Sequence, residues 1–201
     1  FAAAYFALVF AYTSDGKNTT RLKMLEKVLD LIYKIPETQR ALPRVIFYFD
    51  TKQLDKAEVL LKRHIKKYPY DLQGHTLMGE IYSIQNKLKE TIDTWSRLID
   101  LHQNVLKKNP DVAALLLRIG WVAMYNLGDY ELSLNAYDKY LGIFPDEVDV
   151  YDDIGAAFER MGDIKKAKEA YQKGLTIEPD NINLMGNLVY VDEDIGIDRI
   201  E

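Results

Sequence analysis

The chain contains no cysteine, and its 201 residues include only 11 glycines and 6 prolines. Without thiols it can form no disulfide, no zinc-thiolate or iron-sulfur site, and no cysteine nucleophile. The low glycine and proline content, together with 48% hydrophobic residues, excludes collagen-like structure and disorder. The composition therefore predicts a folded, helix-rich chain that needs no covalent or metal cross-link.

Motifs for catalysis and metal binding are also absent. The sequence has no Gly-x-Ser-x-Gly, Gly-x-Gly-x-x-Gly or His-Glu-x-x-His pattern and no phosphate-binding loop. The three histidines, His64, His75 and His102, lie on different predicted helices, whereas a metal site needs several converging ligands. We therefore expect no enzyme activity, no metal and no cofactor.

The charges are distributed unevenly along the chain. Residues 1–100 carry 16 basic and 12 acidic side chains, whereas residues 101–201 carry 10 basic and 19 acidic ones. The net charge of the whole chain is −5. An acidic half repels nucleic-acid phosphates, and the basic cluster of Lys62, Arg63, Lys66 and Lys67 is too small to outweigh it. We expect no nucleic-acid partner.

The first twelve residues are uncharged and apolar, but a bilayer-spanning helix needs about 20 such residues. Two interpretations remain open: a buried first helix, or the end of a clipped signal or anchor segment. We expect no direct membrane contact and a cytoplasmic location. A periplasmic or membrane-tethered location is the alternative if residues 1–12 follow such a signal.

Five prolines recur at intervals of 33, 41, 35 and 34 residues, and each follows an amphipathic run of helix-forming residues. They are Pro36, Pro69, Pro110, Pro145 and Pro179. A second helical stretch precedes each run. The spacing predicts a repeated unit of helix, turn, helix and proline.

The clearest unit, residues 148–181, resembles the tetratricopeptide repeat. The positions that carry the resemblance are Tyr151, Ile154, Gly155, Phe158, Gly162, Asp163, Ala167, Tyr171 and Pro179. One departure is Gly174, where the family usually has alanine. Small residues let the paired helices approach, and large aromatic residues fill the space between them.

The resemblance implies an all-α fold, a right-handed α-solenoid of about five helix-turn-helix repeats, which is about eleven helices with a C-terminal capping helix. We expect a single domain over residues 1–201. Its units are 1–38, 39–71, 72–112, 113–147 and 148–181, with a cap at 182–192. One extra residue falls near Asn126 in the fourth unit, and the third unit ends in a helix continuous from Leu88 to Lys108.

In this family the first helices of successive repeats line a concave groove, which the resemblance places here. The candidate partner-binding residues are Phe47, Glu80, Leu117, Trp121, Met124, Asp149, Asp152 and Glu159. The groove so predicted is apolar in the middle and acidic toward the carboxyl end. The alternative is that the apolar residues of this set belong to the core and that its acidic residues only form a solvated surface.

These expectations favour a non-catalytic scaffold or adaptor that binds a protein or peptide partner. The acidic groove favours a segment that carries lysine or arginine beside an apolar side chain. Two alternatives remain open: a membrane-tethered assembly factor and a regulatory domain of a larger protein. The oligomeric state and the partner's identity do not follow from the sequence.

Overall fold

A computed structural model describes residues 18–197, which form ten α-helices and no β-strand. The helices are α1 Asn18–Asp30, α2 Ala41–Asp50, α3 Leu54–Lys67, α4 Leu72–Ile84, α5 Leu88–Leu101, α6 Pro110–Trp121, α7 Tyr130–Leu141, α8 Val148–Arg160, α9 Ile164–Ile177 and α10 Ile182–Ile197. The helix expected in residues 1–12 lies outside the described residues.

The chain divides between Thr94 and Trp95 into two compact units. The boundary falls inside α5 and not in a loop. The single domain over residues 1–201 stays a prediction.

The first unit contains the α2–α3 hairpin followed by α4. Its core includes Leu42, Val45, Leu61 and Ile81, each at most 1% exposed. The start of α4 is fixed by Asp71, whose carboxylate accepts hydrogen bonds from the Gly74 amide at 2.7 Å and the buried His64 ring at 2.9 Å.

The second unit contains two hairpins, α6–α7 and α8–α9, built around the same contact. A Cβ atom on Gly120 would lie 2.4 Å from the ring of Tyr137, and one on Gly155 would lie 2.1 Å from the ring of Tyr171. Each tyrosine thus occupies space that only glycine leaves free.

Helix α10 packs on α9 at the carboxyl end of the second unit. Leu184 and Val191 are buried there in one cluster with Ala167 and Tyr171. The segment predicted as a cap is therefore helical and covers apolar side chains of the last repeat.

The predicted helix from Leu88 to Lys108 is wrong, because α5 ends at Leu101 and a separate 3-10 helix spans Gln103–Lys108. At the break, the His102 ring Nδ1 donates to the Leu98 carbonyl at 3.0 Å. The His102 backbone amide donates instead to the Ile99 carbonyl, also at 3.0 Å. A side chain thus takes the carbonyl that the next α-helical hydrogen bond would use.

The extra residue of the fourth unit widens a helix and does not enlarge the following turn. Val122–Leu127 is a π-helix, and the Gly128 amide bonds to the carbonyl of Ala123, five residues back. The insertion therefore begins before Met124, so the residues after Trp121 face directions that differ from those of a regular α-helix.

Candidate functional site

The eight predicted partner-binding residues are divided between the two compact units. Phe47 and Glu80 belong to the first, where both are half-buried. Phe47 packs against the core cluster of Leu25 and Ile46. The other six belong to the second unit, and the candidate site is built from them.

The second unit's surface carries an exposed aromatic pair. Trp121, at the end of α6, is 52% exposed, and Tyr125, in the π-helix, is 45% exposed. Their ring centroids are 5.2 Å apart with the planes inclined by 39°. The Arg160 guanidinium covers the Tyr125 ring at 5.0 Å, a cation–π contact that holds the tyrosine in place.

The π-helix decides which side chains reach this surface. Met124, predicted to line the groove, is only 3% exposed and lies in the core. Tyr125 takes the exposed position instead, and Leu117 is half-buried. Sequence reasoning missed Tyr125, because the extra residue was placed after Met124. Its position four residues after Trp121 on a helix was the available signal.

Two of the three predicted carboxylates of the second unit also have structural roles. Asp152 accepts a hydrogen bond from the Asn187 amide group of α10 at 2.6 Å, and Glu159 accepts one from the Tyr171 hydroxyl at 2.5 Å. Asp149 is exposed. Burial raises the pKa of Asp152, the Asn187 hydrogen bond lowers it, and the charge of Asp149 raises it further.

The end of α8 lies next to the aromatic pair, because Arg160, which covers the Tyr125 ring, directly follows Glu159 in the chain. Burial raises the pKa of Tyr171, and the Glu159 hydrogen bond and the nearby Asp152 and Tyr125 raise it further. Asp149, Asp152 and Glu159 share one side of α8, because they are spaced by three and seven residues. Together with the aromatic pair they form one candidate surface. We call it the acidic-aromatic face, and it consists of Trp121, Tyr125, Asp149, Asp152 and Glu159.

A second concavity of the same unit lies beside the break in the predicted long helix. It has a volume of about 440 Å³, and Ile99, Leu116 and Leu132 are among its apolar lining residues. Asp100 and Lys139 also line it, so its charged lining side chains have both signs.

Among the side chains that the structure describes, no group of three or more from histidine and carboxylate residues is arranged to hold a metal ion. Within residues 18–197, no helix combines the length and apolar character needed to cross a membrane. The side chains of the acidic-aromatic face are suited to noncovalent contacts with a partner.

Two family models, both described as tetratricopeptide repeat, match residues 114–147 and 148–181. These ranges nearly coincide with the fourth and fifth units predicted from the prolines. No curated protein matches the sequence of the chain.

Several solved structures are similar in fold. A MamA crystal structure has a TM-score of 0.62 at 21% identity, covering 89% of this chain and 92% of its own. A putative kinesin light chain from Podosopora anserina with TPR-like repeats has 0.69 at 14%, covering 90% and 96%. The Cut9–Hcn1 complex of the APC/C has 0.64 at 15%, covering 95% and 36%. They confirm the all-α helical-repeat solenoid.

Proposed function

Because the chain is a tetratricopeptide-repeat protein, we propose that it is a non-catalytic scaffold whose acidic-aromatic face binds a protein segment carrying lysine or arginine beside a large apolar side chain. Repeats of this kind present extended surfaces for protein partners. The binding surface is the part of the proposal that is specific to this chain.

The exposed Trp121–Tyr125 pair is the observation that carries the proposal. Tryptophan, tyrosine and arginine are the residues that most often dominate the binding energy of interfaces. Here a half-exposed tryptophan lies against a tyrosine held by Arg160, so a partner meets aromatic area that is already ordered. Such order lowers the entropy cost of association.

Charge supports a basic partner. The second unit, from Trp95 onward, carries 20 acidic and 11 basic side chains, a net charge of −9. A field of that sign attracts cationic segments and speeds their encounter with the protein. The exposed Asp149 is the carboxylate of the face that is most accessible to a partner's cation.

Tryptophan fluorescence tests the proposal directly. The chain has 2 tryptophans, and Trp95 is only 3% exposed. A Trp95→Phe variant leaves Trp121 as the single reporter on the face. A peptide with alternating arginine and leucine should then shift the Trp121 emission, and the same peptide with glutamate for arginine, or serine for leucine, should not.

Variants locate the binding energy. With a fluorescent label on the peptide, Trp121→Ala should weaken binding by about 2 kcal/mol, mainly through faster dissociation. Asp149→Lys should slow association and flatten its dependence on salt. A charge reversal at Asp152 would also remove the contact with Asn187, so its effect on binding would have two causes.

Matched controls separate the face from general effects. Tyr33→Ala removes an aromatic side chain that is 63% exposed in the first unit, and Glu131→Lys reverses an exposed charge on α7 of the second unit. Neither should change binding more than twofold. If Trp121→Ala and Tyr33→Ala bind the peptide equally well, the acidic-aromatic face is not the binding site.

A further inference from the structure

A separate groove lies in the first compact unit, between α2 and α3, with a volume of about 520 Å³. It is lined by Arg44, Tyr48, Asp55, Lys56, Val59, Leu60 and Arg63. None of these residues belongs to the acidic-aromatic face or to the predicted partner-binding set.

The groove has apolar side chains that are open to solvent. Val59 is 54% exposed, and Leu60 and Tyr48 beside it are half-buried. The Tyr48 ring is held edge-on to Phe47, with centroids 6.2 Å apart. The Lys56 ammonium lies 5.7 Å from the Tyr48 centroid and donates to Gln53 at 2.7 Å. An apolar side chain of a partner thus has an ordered surface to pack on.

Two arginines at the groove have no partner among the described residues. Arg44 and Arg63 are exposed and make no hydrogen bond or ion pair there. By contrast, two lysines of the basic cluster have ion-pair partners: Lys62 pairs with Glu58, and Lys67 pairs with Glu37. Three basic side chains, of Arg44, Lys56 and Arg63, therefore line the groove, where Asp55 is the one acidic lining residue.

We propose that this groove binds an acidic peptide segment with an apolar anchor side chain. A guanidinium forms two parallel hydrogen bonds with a carboxylate, so Arg44 and Arg63 can each hold an aspartate or glutamate while the anchor packs on Val59 and Leu60. The first unit's 15 basic and 11 acidic side chains add a favourable field. The site is independent of the acidic-aromatic face and takes a ligand of opposite charge.

The apolar lining favours a peptide over a nucleic acid, whose backbone would use the arginines but leave Val59 and Leu60 uncovered. The concavity beside α5 in the second unit carries no comparable proposal, because its one acidic and one basic lining residue, Asp100 and Lys139, leave it without a net charge.

The test uses the full chain and a fluorescent peptide of sequence Gly-Asp-Glu-Leu-Asp-Glu-Phe-Gly. Fluorescence anisotropy should show saturable binding. We expect a second peptide, with serine for leucine and phenylalanine, to bind with at least about tenfold lower affinity, because it lacks the apolar anchor. A third peptide, with amides for the carboxylates, should show a loss of the same size, because it lacks the contacts with the arginines.

Four variants and a control locate the site. Arg44→Ala and Arg63→Ala should each weaken binding about tenfold, and Val59→Asp should abolish it. Arg63→Lys should restore only part of the affinity, since an ammonium cannot form the bidentate contact. Lys66→Ala removes an exposed charge from the same helix outside the groove, and should change affinity less than twofold.

Three results would overturn the proposal. One is equal affinity of Arg63→Ala and Lys66→Ala, and another is equal binding of the anchored and serine peptides, which would indicate attraction by charge alone. The third is self-association of the chain, seen by sedimentation, that the peptide reverses and Arg63→Ala prevents, since the occupant would then be a second copy. Trp121→Ala should leave peptide binding unchanged, so failure of this proposal is distinct from failure of the proposed function.

Discussion

Two tyrosine rings, of Tyr137 and Tyr171, pack directly against a glycine of the partner helix. The distances from an added Cβ, 2.4 Å at Gly120 and 2.1 Å at Gly155, are shorter than any van der Waals contact. Each tyrosine ring and the glycine opposite it therefore form one packing contact. If the two helices moved closer, the ring would clash with the backbone, and if they moved apart, the contact would be lost.

We expect Gly155→Ala and Gly120→Ala each to lower the free energy of unfolding by about 1–3 kcal/mol, because the added methyl group displaces a buried ring. Gly186→Ala is the matched control: an added Cβ in α10 meets nothing within 4 Å, and alanine favours the helix, so the change should be neutral or stabilising. Urea unfolding measures all three. Equal stability of Gly155→Ala and Gly186→Ala would contradict the packing argument.

Glu58 joins α3 to the turn before α5 in the first unit. It accepts from Lys62 at 2.6 Å and from Lys87 at 3.1 Å. The Lys62 hydrogen bond, opposed by burial and aided by Lys87, lowers the pKa of Glu58 to about 2. The depressed pKa means that the folded state favours the ionised carboxylate.

Glu58 should therefore add stability above its ordinary pKa of 4.5 and lose that contribution as the pH falls through about 2. Glu58→Gln should lower the free energy of unfolding at pH 7 by about 1 kcal/mol, and the difference from the parent should vanish in strong acid. Glu169→Gln, whose carboxylate is 62% exposed and 4.0 Å from Lys165, is the control and should change little at any pH. A Glu58→Gln effect that persists unchanged at pH 2 would exclude the ion pairs as its cause.

At the scale of elements, α10 has two faces of different character. One face buries Leu184 and Val191 against the last repeat, while Ile182, Met185 and Val189 of the other are 80%, 42% and 56% exposed. The buried face is the one that stabilises the last repeat.

Leu184→Ala should accordingly cost about 2–5 kcal/mol, since it opens a cavity beside Tyr171. Ile182→Ala, in the same helix, should stay within about 0.5 kcal/mol of the parent. Thermal unfolding followed by circular dichroism compares the two. If both variants melt like the parent, α10 does not act as a cap.

Helices α5 and α6 show how local hydrogen bonds alter an element that periodicity predicts well. The apolar spacing correctly predicts helix in both. However, the His102 side chain ends α5 earlier than predicted, and the Val122–Leu127 π-helix after α6 accommodates an extra residue. Hydrophobic periodicity does not record which atom takes a given carbonyl, so such interruptions are not visible in it.

At the scale of the whole molecule, the charge follows the two compact units. The first carries +4 and the second −9, from 15 basic and 11 acidic side chains against 11 and 20. The two proposed ligands have correspondingly opposite charges.

The single domain predicted over residues 1–201 can be tested by unfolding. Both tryptophans, Trp95 and Trp121, belong to the second unit, so their fluorescence reports it alone, whereas circular dichroism reports all helices. We expect coincident urea transitions, because the boundary lies within the continuous helix α5. Leu61→Ala, in the core of the first unit, should shift both signals together. A fluorescence transition that Leu61→Ala leaves unchanged would indicate two domains.

The sequence by itself determined the all-α class, the repeat period and the glycine-tyrosine positions. Prolines at regular spacing end helices wherever they occur, and the residue sizes that let two helices pack are fixed by type. These features are local, and they recur from one repeat to the next.

Only the tertiary structure decided which side chains face solvent. Met124 and Tyr125 are adjacent in sequence, yet the π-helix buries the first and exposes the second. Arg63 and Lys67 belong to one basic cluster, yet Glu37 pairs with Lys67 and Arg63 is left at the groove. Both outcomes depend on partners or helix turns that are set only when the helices pack.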